Sequence, residues 1–150
     1  MITVFGSLNV DYVFQVAQLP APGETVLAAN MEVLPGGKGG NQALAAARAG
    51  AKVHMAGAVG KDGLGDIAMA GLIAAGVDTS AVTQNLKPTG TAAINVDALG
   101  ENAITVSSGA NLEATGKSLD ATQLNSQTIL LLQMEVSMSA MADLIQRCRD

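Results

Sequence analysis

The chain has 150 residues, 49% of them apolar and 14% charged, with a formal net charge of −5. That length and apolar share suffice for one domain with a real core and exclude a disordered chain. An acidic balance without a Lys/Arg cluster, and with only two Phe, one Tyr and no Trp, excludes a nucleic-acid surface built on charge or base stacking. A single cysteine, Cys148, cannot close an internal disulfide, so the expected compartment is the reducing cytoplasm. The first residues lack the basic and apolar regions of a signal peptide. The longest apolar runs, such as Ile129–Leu132, are too short to span a bilayer.

In chain order, Ile2–Phe5 reads as a buried strand ending at Gly6. Residues 12–16 and 25–34 are β-rich and flank the turn-forming stretch Leu19-Pro20-Ala21-Pro22-Gly23-Glu24, which predicts an antiparallel hairpin. Gly36-Gly37-Lys38-Gly39-Gly40 reads as a loop, Asn41 as a helix cap, and residues 42–49 as a helix stopped by Gly50. Residues 52–59 predict a strand, 60–65 a turn, and 66–75 a helix stopped by Gly76. Residues 91–96 and 103–106 predict a second hairpin around Leu99-Gly100-Glu101-Asn102. A short helix is expected over 119–125, a buried strand over 129–134 and a helix over 138–149, within which the chain ends. Strands alternating with helices imply an α/β fold with a mostly parallel central sheet flanked by helices, and the two hairpins imply a small extra sheet.

Three polar clusters could carry chemistry. Gly6-Ser7-Leu8-Asn9-Val10-Asp11 follows the first strand, and open α/β sheets bind ligands beyond the carboxyl ends of their strands. Asn9 and Asp11 are two residues apart, so on extended backbone they face one way. A carboxylate accepts from hydroxyls, an amide donates and accepts, and together they suit a polyol. The same residues would also suit a turn with an Asx cap. Gly36 to Asn41 lets backbone approach a ligand before a helix N-terminus, but lacks both phosphate-loop spacings and also suits a hinge. Glu135 lies just beyond the strand predicted over 129–134, where a lone Glu is ordinarily solvated. Asp66, in Gly63-Leu64-Gly65-Asp66, reads as a first-turn charge complementing the helix dipole rather than a base. His54 reads as a structural histidine with no neighbouring carboxylate in sequence, and the methionines as core filler. No zinc spacing, EF-hand or Ser-His-Asp pattern is legible.

Taken in order, these clusters resemble the PfkB, or ribokinase-like, carbohydrate kinases. Residues 6–11 are similar to the family's first substrate motif. Pro22-Gly23-Glu24-Thr25 is similar to its lid turn, and Gly36-Gly37-Lys38-Gly39-Gly40-Asn41-Gln42-Ala43 to its first signature. Ala49-Gly50-Ala51, Gly57, Val59-Gly60-Lys61-Asp62, Thr89-Gly90, Gly100-Glu101-Asn102, Gly109-Ala110-Asn111 and Gln133-Met134-Glu135 follow in family order across nearly the whole chain.

The resemblance implies that residues 1–150 are the N-terminal part of a ribokinase-like domain, with lid strands within 12–34 and 91–106 and the C-terminal half absent. It implies ATP-dependent phosphorylation of D-ribose to ribose 5-phosphate in the full-length enzyme, with Mg2+ and a monovalent cation (K+), and a homodimer formed through the lid. Asn9, Asp11, Gly37, Lys38, Gly39, Gly40, Asn41 and Glu135 would hold the sugar. The family's second signature, Asp-Thr-x-Gly-Ala-Gly-Asp, whose last Asp is the general base, is absent. No catalytic, nucleotide-binding or metal residue is therefore expected in this chain, and the chain alone is expected to be inactive. Other sugar or nucleoside kinases of the family, and a non-catalytic sugar-binding or dimerisation fragment, remain as alternatives.

Overall fold

A computed structural model describes residues 1–149. Among them run two four-stranded sheets that share no strand. The first sheet is parallel throughout, in the order β5 (Asp78–Asn85), β4 (Val53–Gly60), β1 (Ile2–Phe5), β8 (Ile129–Leu132). Its inner strands are apolar because both faces are covered: every residue of β4 is buried. Successive side chains of β1 point to opposite layers. Val4 packs with Met55, Ala43 of helix α1 (Lys38–Arg48) and Ala68 and Leu72 of helix α2 (Leu64–Ala74). Phe5 packs with Leu119 and with Ala140, Met141 and Leu144 of helix α3 (Met138–Arg147). The architecture is a three-layer α/β domain with the sheet as the middle layer.

In a chain with two Phe, Phe5 is one of the largest fully buried side chains. Phe5→Ala is expected to cost about 3–5 kcal/mol in denaturant-induced unfolding, from lost burial plus the cavity left behind.

The second sheet has the order β3 (Ala28–Gly36), β2 (Asn9–Val16), β6 (Gly90–Val96), β7 (Asn102–Ser107). Both expected hairpins form, β2 with β3 and β6 with β7, each antiparallel. A parallel pairing of β2 with β6 joins them. The hairpins extend outward beyond the expected bounds, from Asn9 to Gly36 and from Gly90 to Ser107, while β3 starts only at Ala28 rather than at 25.

Four sequence expectations need correction. Strand β5 was not foreseen, because Asp78–Asn85 reads as polar; it is an edge strand, pairs with β4 alone, and buries only Ala81. The helix expected over 119–125 is instead a series of turns. Gln123 N and Leu124 N donate to Asp120 O at 3.1 and 2.9 Å, but no helix propagates from this turn. The strand expected over 129–134 ends at Leu132 and is not buried, with Ile129 62% exposed, because β8 lies at the other edge of the sheet; a 3-10 turn, Gly109–Glu113, follows β7. His54 does have a carboxylate neighbour: strand pairing brings Asp78 to within 2.9 Å of its Nδ1. No helix among the described residues is long and apolar enough to cross a membrane.

Candidate functional site

The chain passes from the first sheet to the second through Gly6, Ser7 and Leu8, between β1 and β2. It returns at Gly36, the last residue of β3, and Gly37, which precedes α1. These two crossings and the carboxyl end of β8 meet at one seam. Phe5 pairs with Leu132 across the β1–β8 ladder, so the residues just beyond each strand lie side by side. Ser7 Oγ donates to Glu135 Oε2 at 2.6 Å. The Lys38 ammonium forms an ion pair with Glu135 Oε1, and Lys38 N donates to Glu135 Oε2 at 3.2 Å.

Helix α1 begins at Lys38, before the expected cap at Asn41. Three early residues, Lys38-Gly39-Gly40, include two poor helix formers. They are helical because their amides find acceptors outside the helix. Lys38 N reaches Glu135, Gly39 N reaches Ser7 Oγ at 3.3 Å, and Gly40 N reaches Ser7 O at 2.9 Å. The orphan donors of a helix start are thus satisfied across the fold rather than by a local cap. Gly37 precedes them with φ of 88°, a conformation that favours glycine. Because protein acceptors already occupy these amides, the loop is not a free phosphate cradle.

Asn9 and Asp11 lie on β2, and Asn9 pairs with Gly36 of β3. The Asp11 carboxylate lies over Gly36, where a Cβ would collide with it. Burial, and then the charge of Glu135, raise the Asp11 carboxyl above its ordinary value. That carboxylate hydrogen-bonds to no other described residue. Burial also works to raise Glu135. Hydrogen bonds from the Lys38 side chain, Ser7 and the Lys38 amide, with the Lys38 charge, outweigh it and hold Glu135 below its ordinary value. The site therefore pairs a satisfied carboxylate with a free one. A neutral polyol suits it, because hydroxyls can donate to Asp11 without bringing in further charge.

Of the expected site residues, Lys38, Gly39, Gly40 and Glu135 are joined through Ser7, and Asn9, Asp11 and Gly37 lie along the same seam. Asn41 is exposed in the first turn of α1, and its side chain hydrogen-bonds to no described residue. Two polar residues were missed. Ser7 is fully buried between Glu135 and α1. Asn111 is buried against Leu8 and Asn9. Ser7 stood inside the first motif, and Asn111 inside Gly109-Ala110-Asn111, but neither spacing reveals its partner. Asp62 stood within Val59-Gly60-Lys61-Asp62 but was given no role. It accepts from Thr89 N and Thr89 Oγ1 at 2.7 Å each and ties the turn after β4 to the start of β6.

A cleft of about 560 Å3 lies elsewhere, lined by Lys117, Ser137, Asp143 and Arg147, and shares no residue with this seam. The unshared charge at Asp11 makes the seam the better chemical candidate. Among the described residues no group of three or more His, Cys, Asp or Glu could hold a metal ion.

The family described as pfkB family carbohydrate kinase matches residues 1–149. The ribokinase of Bacillus subtilis is 40% identical over 152 residues, which cover 98% of this chain and 51% of that protein. The crystal structure of a ribokinase from Thermotoga maritima superposes with a TM-score of 0.87 at 36% identity, covering 97% of this chain and 49% of that one. A structure of Arabidopsis thaliana ribokinase complexed with ribose and ATP gives a TM-score of 0.77 at 29% identity, covering 98% and 49%. The chain spans about half the length of the curated relatives it matches.

Proposed function

The chain belongs to the pfkB family of carbohydrate kinases, and on that premise we propose that it forms the sugar-binding half of a ribokinase. Such an enzyme transfers a phosphoryl group from ATP to the 5-hydroxyl of D-ribose. The observation that carries this reading is the free, half-buried Asp11 carboxylate beside the Ser7–Lys38–Glu135 network. Asp11, Asn9 and Glu135 bind the sugar hydroxyls. The backbone from Gly37 to Gly40 forms the facing wall, and Asn41 reaches in from the rim. Lys38 balances the two carboxylates around a neutral substrate.

The start of α1 does not fit a nucleotide phosphate or a metal. The first amides of α1 are occupied, and no acidic cluster is available among the described residues. ATP, its Mg2+, the monovalent cation K+ and the general base are accordingly assigned to residues outside this chain. The second sheet is the lid. Residues paired across a sheet share a face. Leu34, Val106, Ile94 and Ile104 therefore lie on the Asp11 face. Leu34, Ile104 and Val106 are exposed. A second copy of the chain, packed lid to lid, would cover this apolar face and shield the sugar from water. With its single cysteine, the protein is assigned to the cytoplasm.

The protein expressed from its full gene is expected to phosphorylate ribose with a higher kcat/KM than 2-deoxyribose, fructose or nucleosides. Preference for another acceptor overturns the ribose assignment, and phosphorylation of none overturns the kinase reading. Calorimetry of the 150-residue chain with ribose separates binding from turnover. Heat of binding without ATP consumption is the expected result.

A further inference from the structure

We infer that Asn111 is a positioning residue that sets which end of the Asn9 amide faces the sugar. This rests on the reading of Asn9 and Asp11 as sugar ligands. A backbone N–H can only donate, so the Asn111 atom at 2.9 Å from Leu8 N is Oδ1. The other end of that amide is then Nδ2, which donates to Leu8 O at 3.2 Å and to Asn9 at 2.7 Å. The Asn9 atom that receives it must be an acceptor, Oδ1. The remaining end of Asn9, its donor Nδ2, has no hydrogen-bond partner. It is not among the buried unpaired atoms either, although Asn9 is only 6% exposed. That donor therefore keeps some exposure, on the side chain that shares a face of β2 with Asp11.

One backbone amide therefore fixes two side-chain amides in sequence. The result is a donor at Asn9 next to an acceptor at Asp11 on the same face of β2. A sugar hydroxyl, or two neighbouring ones, can accept from Asn9 and donate to Asp11. With Asn9 inverted, the site would offer two acceptors and no donor from β2. Asn111 is 1% exposed and comes from the 3-10 turn Gly109–Glu113, more than 100 residues from Asn9. Gly90 faces the pair across the β2–β6 ladder, and a Cβ there would collide with both amides.

The test uses two near-isosteric variants of the protein expressed from its full gene. Asn111→Asp keeps an acceptor for Leu8 N but removes the donor, so the Asn9 amide turns over. Asn9→Asp leaves Asn111 its acceptor and replaces the site-facing Nδ2 by oxygen. Both are expected to raise the ribose KM about tenfold or more while kcat changes by no more than about threefold. In nitrogen-edited NMR of the ligand-free protein, Asn111→Asp should shift the Asn9 side-chain NH2 pair. An Asn111→Asp protein with the wild-type KM and an unmoved Asn9 NH2 pair overturns the inference. So does an Asn111→Asp protein with lowered thermal stability beside an Asn9→Asp protein of unchanged KM, because Asn111 is then a tether only. If the wild type does not turn over ribose, the substrate reading fails, and the ligand-free NMR comparison still decides the orientation.

Discussion

A Gly39→Ala protein is expected to lose about 3 kcal/mol of stability and its sugar affinity together. A Cβ on Gly39 would stand 2.7 Å from Gly6 C, Ser7 N and Ser7 O. All three are backbone atoms of the crossing from β1 to β2, so no side-chain rotation relieves the overlap. The start of α1 has to retreat, and the hydrogen bonds from Gly39 and Gly40 to Ser7 lengthen with it. Lys38 and Glu135 then lose their register. The control is Gly71→Ala in α2, where a Cβ meets only Leu44 Cδ2 at 3.8 Å. There the gain in helix propensity should stabilise by about 0.5–1 kcal/mol. Urea unfolding of the two variants should give opposite signs. A Gly39→Ala protein as stable as the wild type would show that the helix start is not clamped to Ser7.

Asp11→Asn is expected to raise thermal stability at neutral pH while lowering ribose affinity about 10- to 100-fold. Burial and the Glu135 charge raise the Asp11 pKa in the folded protein. A carboxyl whose folded pKa lies above its unfolded value opposes folding when ionised. That opposition fades as pH falls through the folded pKa and is gone below the unfolded one. An uncharged Asn removes it, so the stability gain should appear near pH 7 and vanish in acid. In the proposed site, ribose needs the ionised acceptor. Wild-type affinity should therefore fall on acidification at a higher pH than an ordinary Asp would dictate. Glu135, held below its ordinary value, stays ionised through that window. Calorimetric titrations across pH, with thermal melts of both proteins, read these outcomes. A ribose affinity unchanged by Asp11→Asn would remove Asp11 from the site. An unchanged melting temperature would mean that its charge is not strained. A residue kept at some cost in stability is the usual mark of a functional group.

The body of the fold was largely legible because its signals are local. Apolar runs such as Ile2–Phe5 and Ile129–Leu132, and the glycines ending α1 and α2, lie within a few residues of what they specify. Both hairpins were legible from β-rich runs around turn residues. The edge strand β5 was not, because an edge strand needs few apolar residues. The turns over 119–125 carry helix-forming letters, but their geometry is set by packing of Leu119 against Phe5 and α3.

By itself, the sequence determined which polar residues are available, Asn9, Asp11, Lys38 and Glu135 among them, and the order of motifs that identifies the family. Only the tertiary structure decided how that chemistry is held. The start of α1 at Lys38 depends on acceptors from Ser7 and Glu135, and the amide orientation of Asn9 depends on Asn111. These partners lie 32 to 102 residues away along the chain. A hydrogen bond acts over about 3 Å, so spacing in sequence carries no trace of it until the two sheets and α3's layer bring both ends to one seam.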